Sequence, residues 1–338
     1  MRSEHTRILL AHGSGGRLTH ELVETLFKPA FSNPALNVLD DAAVIAVPGH
    51  GSLAFTTDAF VVKPLFFPGG DIGRLSICGT VNDLAMKGAV AHSIAIAAII
   101  EEGLEIGVLR SVVRSISSAC CEAGVRIVTG DTKVVEKGKA DGLFLTTSGV
   151  GSIAKGINVA GSRARPGDRI LINGSVADHG MAVLTARNDF KLKSAIKSDC
   201  APLNRLVGRI FEQSKEVHVL RDPTRGGVAT TLNEIAAASN VGIIIDEALV
   251  PVRPDVRAAC NILGIDPLYV ANEGKLLCVL PEKVADKVLA CMKKDRLGVD
   301  SRSIGEVVGS PRGVWLKTRA GGLRPLLMLE GEQLPRIC

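Results

Sequence analysis

Residues 17–31 repeat apolar side chains at Leu18, Leu22, Leu26 and Phe27, one stripe of a 3.6-residue period, and this predicts a first helix. Shorter apolar runs at 43–47 and 53–55 have strand length, and the second continues into TTDAFVV. A PGGD turn opens a helical stretch over 72–87, HSIAIAAII reads as a buried strand, and residues 105–123 predict a long helix. Residues 126–128 and 143–147 read as strands interrupted by GDTKVVEKGKAD. Such alternation argues for a sheet layered by helices.

Polar, Pro and Gly residues cluster in GSRARPGD, residues 161–168, and mark a boundary. Beyond it the alternation restarts. Strands are expected at 169–173, 242–246, 275–280, 304–308 and 314–317. Helices are expected from Gly180, over 201–213, from Gly226, and over 255–263 and 283–293. From Gly321 onward, GGLRPLLMLEGEQLPRIC has no clean period and reads as a mobile tail. Nearly extended, that tail would reach roughly 50 Å. It ends on Cys338, a thiol with no core to sit in, exposed to oxidation unless it has a use.

Composition narrows the class. The chain has 338 residues, enough for two domains or one large α/β unit. Aromatics are only 3%, so the cores must be built from Val, Ile, Leu and Ala, and this counts against a nucleic-acid surface of stacking aromatics. The net charge of +5 is scattered without a basic block, which fits small anionic ligands and no nucleic acid. There is no secretory leader of adequate length, and the longest apolar run, 94–100, cannot span a bilayer. The expectation is a cytoplasmic protein with no membrane association. No C-x-x-C or zinc spacing occurs; Cys78, Cys120, Cys260, Cys278 and Cys291 read as small core hydrophobes.

Four segments end an apolar run, or begin a turn, with Asp: VLDDAAV (Asp40, Asp41), FTTDAFV (Asp58), TVNDLAM (Asp83) and VTGDTKV (Asp131). Carboxylates gathered from several strands suit Mg²⁺ shared with substrate phosphates, although each could simply cap a helix or turn. Flanking apolar residues would make an unpaired carboxylate costly at each position. HGSGGR (with Gly13, Ser14, Gly15 and Gly16), PGGD and RDPTRGGV (with Asp222, Gly226 and Gly227) each precede a helix and offer backbone N–H groups to phosphate. None is a Walker A loop or a G-x-G-x-x-G fingerprint, so a nucleotide site would be of another type. His12 and His179 read as ordinary loop histidines. Lys133 and Glu273 are a candidate cation and base, and each also reads as a surface salt bridge.

The series AHGSGG, LDDAAV, FTTDAFV, TVNDLAMKGA, IVTGDTKVV, DHG, RDPTRGG, ANEGK and terminal PRIC resembles the HypE family of hydrogenase maturation factors, from Leu10 to Cys338. That family belongs to the superfamily of aminoimidazole ribonucleotide synthetase and selenophosphate synthetase. The resemblance implies an α/β (α+β) two-domain PurM-like fold. Residues 1–35 would form a glycine-rich loop and helix, and 36–160 an ATP-binding domain whose strands build an inter-subunit β-barrel in a homodimer. Residues 161–320 would form the second domain and 321–338 the tail. It implies an enzyme in which a HypF carbamoyltransferase loads Cys338 and ATP drives dehydration of the S-carbamoyl group to a thiocyanate. The cyanide then passes to iron on a HypC–HypD complex, for a [NiFe]-hydrogenase. On this resemblance Asp41, Asp58, Asp83 and Asp131 would hold Mg²⁺, and Glu273 would be the base. Lys133 would orient the base or the carbamoyl oxygen, or stabilise charge on the phosphoryl group, and Cys338 would be the carrier. The glycine loop, Asn82, Thr132, Asp222 and the Gly226–Gly227 turn would bind ATP, and Arg336 would help dock the tail. A selenophosphate synthetase would carry a Cys or selenocysteine near HGSGGR, and none is present. The alternatives are another ATP-dependent synthetase or kinase of the same superfamily and a nucleotide-sensing scaffold docking partners through its tail.

Overall fold

The computed structural model describes residues 15–47, 51–187, 195–329, 331 and 337. The first helix is continuous but not uniform. It starts as α1 (Arg17–Leu22), passes through a π-helical turn at Val23–Phe27 and ends as α2 (Lys28–Phe31). Its expected apolar stripe is only partly covered by this chain: Leu18 and Leu22 are half-buried and Leu26 is exposed.

Strands β1 (Ala43–Val47) and β2 (Gly51–Phe60) lead through the short pair β3 (Phe66–Phe67) and β4 (Gly70–Asp71) into α3 (Ile72–Met86). Then come β5 (Ala89–Glu101), α4 (Ile106–Ala123), β6 (Arg126–Val135) and β7 (Leu143–Ile153). The five long strands form one sheet in the order β1-β2-β7-β5-β6, in which only the β5–β6 pair, joined through α4, is parallel. Along β2 the residues Ala54, Thr56 and Phe60 are buried while Phe55 and Thr57 are exposed, so only one face is covered. Val44, Phe55, Val90, Ile99, Val128 and Val134 are large apolar residues left exposed on this sheet.

The second unit is built differently. It runs β8 (Asp168–Ile172), α5 (Asp178–Thr185), α6 (Asn204–Gln213), β9 (Val219–Arg221), α7 (Gly227–Ser239), β10 (Gly242–Asp246), α8 (Pro254–Leu263), β11 (Leu277–Pro281), α9 (Glu282–Met292), β12 (Arg302–Val308), β13 (Gly313–Lys317) and β14 (Leu323–Pro325). Its seven strands are ordered β14-β13-β10-β12-β8-β11-β9. Ile170, Ile172, Leu277 and Val279 pack with residues of α7, whereas Leu171, Cys278 and Leu280 pack with residues of α6 and α9. Both faces are therefore covered, which is why ILI (170–172) and LLCVL (276–280) are apolar throughout instead of alternating.

Helix α3 lies between the two units, packed on β2, β7 and β5 and against α6 and β9. It is buried nearly all round, as a helix apolar on every face must be. Near the boundary, Lys87 donates to Asp40 and to the Val159 carbonyl, while Gly161 N donates to Asp40 Oδ1 at 3.0 Å.

Two expectations are corrected here. The strand expected to stop at 128 runs on to Val135, because β5 offers it a full parallel partner. The tail expected to be mobile from Gly321 instead adds β14 to β13 and buries Leu326 and Leu329, and the Leu329 carbonyl accepts from Arg17 N at 2.9 Å. Nine residues follow Leu329, a reach of about 30 Å instead of 50 Å. Among the cysteines, Cys291 is half-exposed and not a core residue, its thiol on the Arg209 carbonyl, while Cys200 is buried.

Candidate functional site

Asp41 sits just before β1, Asp83 on α3, and Asp222 immediately after β9. Three distant stretches of sequence thus meet, and one carboxylate oxygen from each lies within 4.8 Å of the others. Asp83 accepts from Thr56 Oγ1 on β2 at 2.7 Å. Asp41 Oδ2 is 2.7 Å from Arg221 Nε, yet neither atom has an aligned hydrogen bond. Burial is the first cause of raised carboxyl pKa values throughout. It takes Asp41 to about 6 and, helped by the charge of Asp41, takes Asp222 to about 8. Asp83 is pushed well above the ordinary carboxylate range by burial and then by Asp58, Asp222 and Asp41. Acids crowded in this way favour either shared protons or a cation. The oxygen of Asp41 with no aligned donor, and the all-carboxylate donor set, fit a hard divalent ion such as Mg²⁺.

Asp58, on the covered side of β2, lines a cavity of about 60 Å³ with Asp83, Asp222, Arg225 and Glu273. That space holds a few waters or one small group. Glu273 is buried on the loop before β11, and burial, followed by the charges of Asp222, Asp199 and Asp58, pushes its carboxyl well above the ordinary range. Its backbone is fixed independently of its side chain: Glu273 N donates to Asp199 Oδ1 at 3.1 Å, and Asp199 Oδ2 accepts from Lys275 Nζ at 2.9 Å.

The other expected site residues divide. Gly15 has φ +76°, and a Cβ there would come 2.9 Å from the Cβ of Arg225. The glycine loop therefore lies against the RGG turn, where Gly226 (φ +76°) and Gly227 (φ +61°) open α7 with no room for side chains. Gly16 caps α1. His12, Gly13, Ser14, Arg336 and Cys338 lie outside the described residues. Asn82 belongs to the scaffold: its Nδ2 donates to the Ala201 and Glu273 carbonyls, and its Oδ1 accepts from Leu203 N. The PGGD turn is occupied by its own acid, since Asp71 accepts from Gly73 N and Arg74 N at the start of α3.

Asp131, Thr132 and Lys133 are not brought to this site by their own chain. They lie exposed in the middle of β6, at the sheet edge. Asp58 pairs with Thr147, Thr147 with Ile96, and Asp131 with Ala97, next to Ile96. Three strand spacings therefore separate Asp131 from Asp58, roughly 14 Å, too far to share one ion.

Two residues were underrated by sequence. Arg221 bridges Asp41 and Glu234, and Glu234 in turn meets His20 Nε2 at 2.9 Å on α1. Only its place beside Asp222 in RDPTRGG hinted at this. His179 is a fully buried residue of the first turn of α5, not a loop histidine.

Residues 39–153 match the N-terminal domain of AIR synthase related proteins, and residues 165–316 match their C-terminal domain. The carbamoyl dehydratase HypE of Cupriavidus necator is 51% identical, over 98% of this chain and 95% of the relative. A HypE from a HypE–HypF complex has a TM-score of 0.86 and 46% identity, covering 92% of this chain and 99% of that one. A hydrogenase maturation protein HypE in complex with ATP has a TM-score of 0.82 and 48% identity, covering 98% of this chain and all of that one. Among the described residues no helix is long and apolar enough to cross a membrane.

Proposed function

The chain belongs to the AIR synthase related family and, within it, to the HypE carbamoyl dehydratases, and from that premise we propose how its residues divide the work. The protein is an ATP-dependent carbamoyl dehydratase of hydrogenase maturation that receives its carbamoyl group from HypF. The substrate group is the S-carbamoyl of its own Cys338. Its oxygen takes the terminal phosphoryl group of ATP, two protons leave its nitrogen, and the oxygen departs within inorganic phosphate. ADP and a cysteine thiocyanate remain. The observation that carries this assignment is the shared cavity in which Asp58, Asp83 and Asp222 face Glu273.

Asp41, Asp83 and Asp222 would hold Mg²⁺, which when bound offsets the charge of the transferring phosphoryl group. Gly15 and the Gly226–Gly227 turn leave backbone uncovered where phosphates would approach. Glu273 removes the amide protons. Its raised pKa means that it must be ionised by a cation, and Lys133 is our candidate.

Lys133 arrives from a second copy. Asp131 and Lys133 pair with Ala97 and Ile99 on the face of the first sheet that this chain leaves bare, alongside exposed Ile45, Phe55 and Val90. Joining two such faces buries that apolar surface and builds each active site from two chains. The cyanide acceptor is a HypC–HypD complex, and a reducing cytoplasm suits the free thiols of the described residues.

Intact mass spectrometry tests the reaction: with HypF, carbamoyl phosphate and Mg-ATP, the chain should gain one carbamoyl group and then lose one water. A stable adduct that never loses water would remove the dehydratase assignment. Subunit mixing tests the composite site. Lys133→Ala and Glu273→Gln chains, each inactive alone, should on re-equilibration regain about a quarter of wild-type activity, the share of intact sites in a symmetric dimer. No recovery would put both residues in the same chain's site.

The carboxylates also predict a pH effect on stability. Asp41 and Asp222 have folded pKa values raised to about 6 and about 8 from 3.8, so the folded chain holds more protons than the unfolded one. Stability from this source is complete below the unfolded pKa and is lost as pH rises through the folded values. In chelator, the melting temperature should therefore fall between about pH 4 and pH 8, and added Mg²⁺ should restore it increasingly at the high end. A melting temperature insensitive to Mg²⁺ at pH 8 would count against a cation on these acids.

A further inference from the structure

The residue to which the terminal cysteine is joined is not loose. Ile337 is buried within the apolar cluster that includes Phe67, Val183, Cys200 and Ala271. Its carbonyl oxygen lies 2.9 Å from Nε2 of His179. A carbonyl can only accept, so Nε2 carries the hydrogen. Burial holds the pKa of His179 below its ordinary value, so the ring is neutral and Nδ1 must be an acceptor. Ser198 Oγ is 2.8 Å from Nδ1 and donates to it, while itself accepting from Cys200 N at 3.1 Å. The tautomer is thus set by its neighbours, and the edge of the ring is braced against Phe67 at a centroid distance of 5.4 Å.

The same short segment serves Glu273. Ser198 holds the histidine, and the next residue, Asp199, accepts from Glu273 N. Ala271, two residues before Glu273, belongs to the cluster that takes the Ile337 side chain. The end of the tail and the backbone of Glu273 are therefore referred to one piece of chain, residues 198–200.

We propose that His179 is a positioning residue, a latch that grips the main chain of the penultimate residue and so sets the carbamoylated Cys338 in register with Glu273. Because it reads a backbone carbonyl, it ignores which side chain precedes the cysteine; the apolar cluster adds a preference for an aliphatic one. One neutral hydrogen bond and one buried isoleucine hold the tail while leaving it able to come away for loading. A core residue would do none of this. An apolar side chain at 179 would fill the same volume and strand a buried carbonyl.

The importance of the latch for dehydration rests on the function proposed above, but its effect on tail docking does not, and the experiment separates them. The alkylation rate of Cys338 is measured on the C-terminal peptide released by cleavage after Glu332, alongside single-turnover dehydration of carbamoylated protein. His179→Leu keeps the volume and loses the donor. It should raise alkylation up to about tenfold, the size of one buried hydrogen bond, and should slow dehydration by no more than that factor. His179→Gln, which keeps a donor near Nε2, should return both rates toward wild type. Ile337→Ala, which leaves His179 and its partner Ser198 in place, should loosen the tail in the same way and carries the test if the His179→Leu chain does not fold. A purely structural histidine would lower dehydration without raising alkylation, and unchanged alkylation in the Leu and Ala variants would overturn the proposal. Wild-type protein that shows the alkylation pattern without dehydrating would instead refute the proposed function and leave the latch standing.

Discussion

Replacement of Cys338 by Ala is expected to abolish the activity completely while leaving the fold and ATP binding unchanged. In the proposed reaction the carbon is carried on that sulfur, and no other cysteine is expected to take its place. Cys78, Cys120, Cys200, Cys260 and Cys278 are buried in the packed core, and the other two, exposed Cys121 on α4 and half-exposed Cys291 on α9, are fixed within helices. Incubation of the variant with HypF, carbamoyl phosphate and Mg-ATP should leave its intact mass unchanged, while its melting temperature matches wild type. A carbamoyl adduct on the variant would show that another thiol is the carrier and that the terminal residue is dispensable.

The second large effect is expected from Glu273→Gln. The substitution keeps the volume and the backbone bond to Asp199 but removes the acceptor for the amide protons. Carbamoylation of Cys338 should proceed at the wild-type rate, and dehydration should fall by about 10²–10⁴-fold, the usual contribution of a positioned general base. The wild-type dehydration rate should rise with pH as Glu273 ionises, because burial and three neighbouring carboxylates hold its pKa up. That rise should vanish in the variant. Stopped-flow or quenched single turnovers across pH check both points. A Glu273→Gln rate within a few-fold of wild type, with the same pH profile, would assign proton removal to another group.

Much of the chain was legible because local rules and tertiary packing agree. Strands 43–47 and 242–246 fall where their apolar runs lie, and the helix expected over 105–123 runs Ile106–Ala123 with Glu105 as its cap. The Asp motifs were visible because a carboxylate in an apolar run demands a reason. Other features were not legible. GDTKVV looks like a turn, but β5 recruits it as strand β6, and pairing is a property of two segments. PGGD looks like a phosphate loop, but Asp71 turns back onto its own helix. Asp131 shares a sequence form with Asp41, Asp58 and Asp83, yet the strand order β2-β7-β5-β6 sets it across the sheet from them.

By itself, then, the sequence determined the residue types the reaction needs, the two-unit division and the family, since each depends on local pattern and order. Only the tertiary structure decided which of those residues meet. It replaced Asp131 by Asp222 beside Asp41 and Asp83, withdrew Asn82 into the scaffold, and turned a histidine that looked incidental into a grip on the end of the chain. The physical reason is that charge proximity, burial and hydrogen-bond satisfaction depend on distance in space. Chain order fixes that distance only within an element, and the packing of α3 against elements of both units fixes it across them.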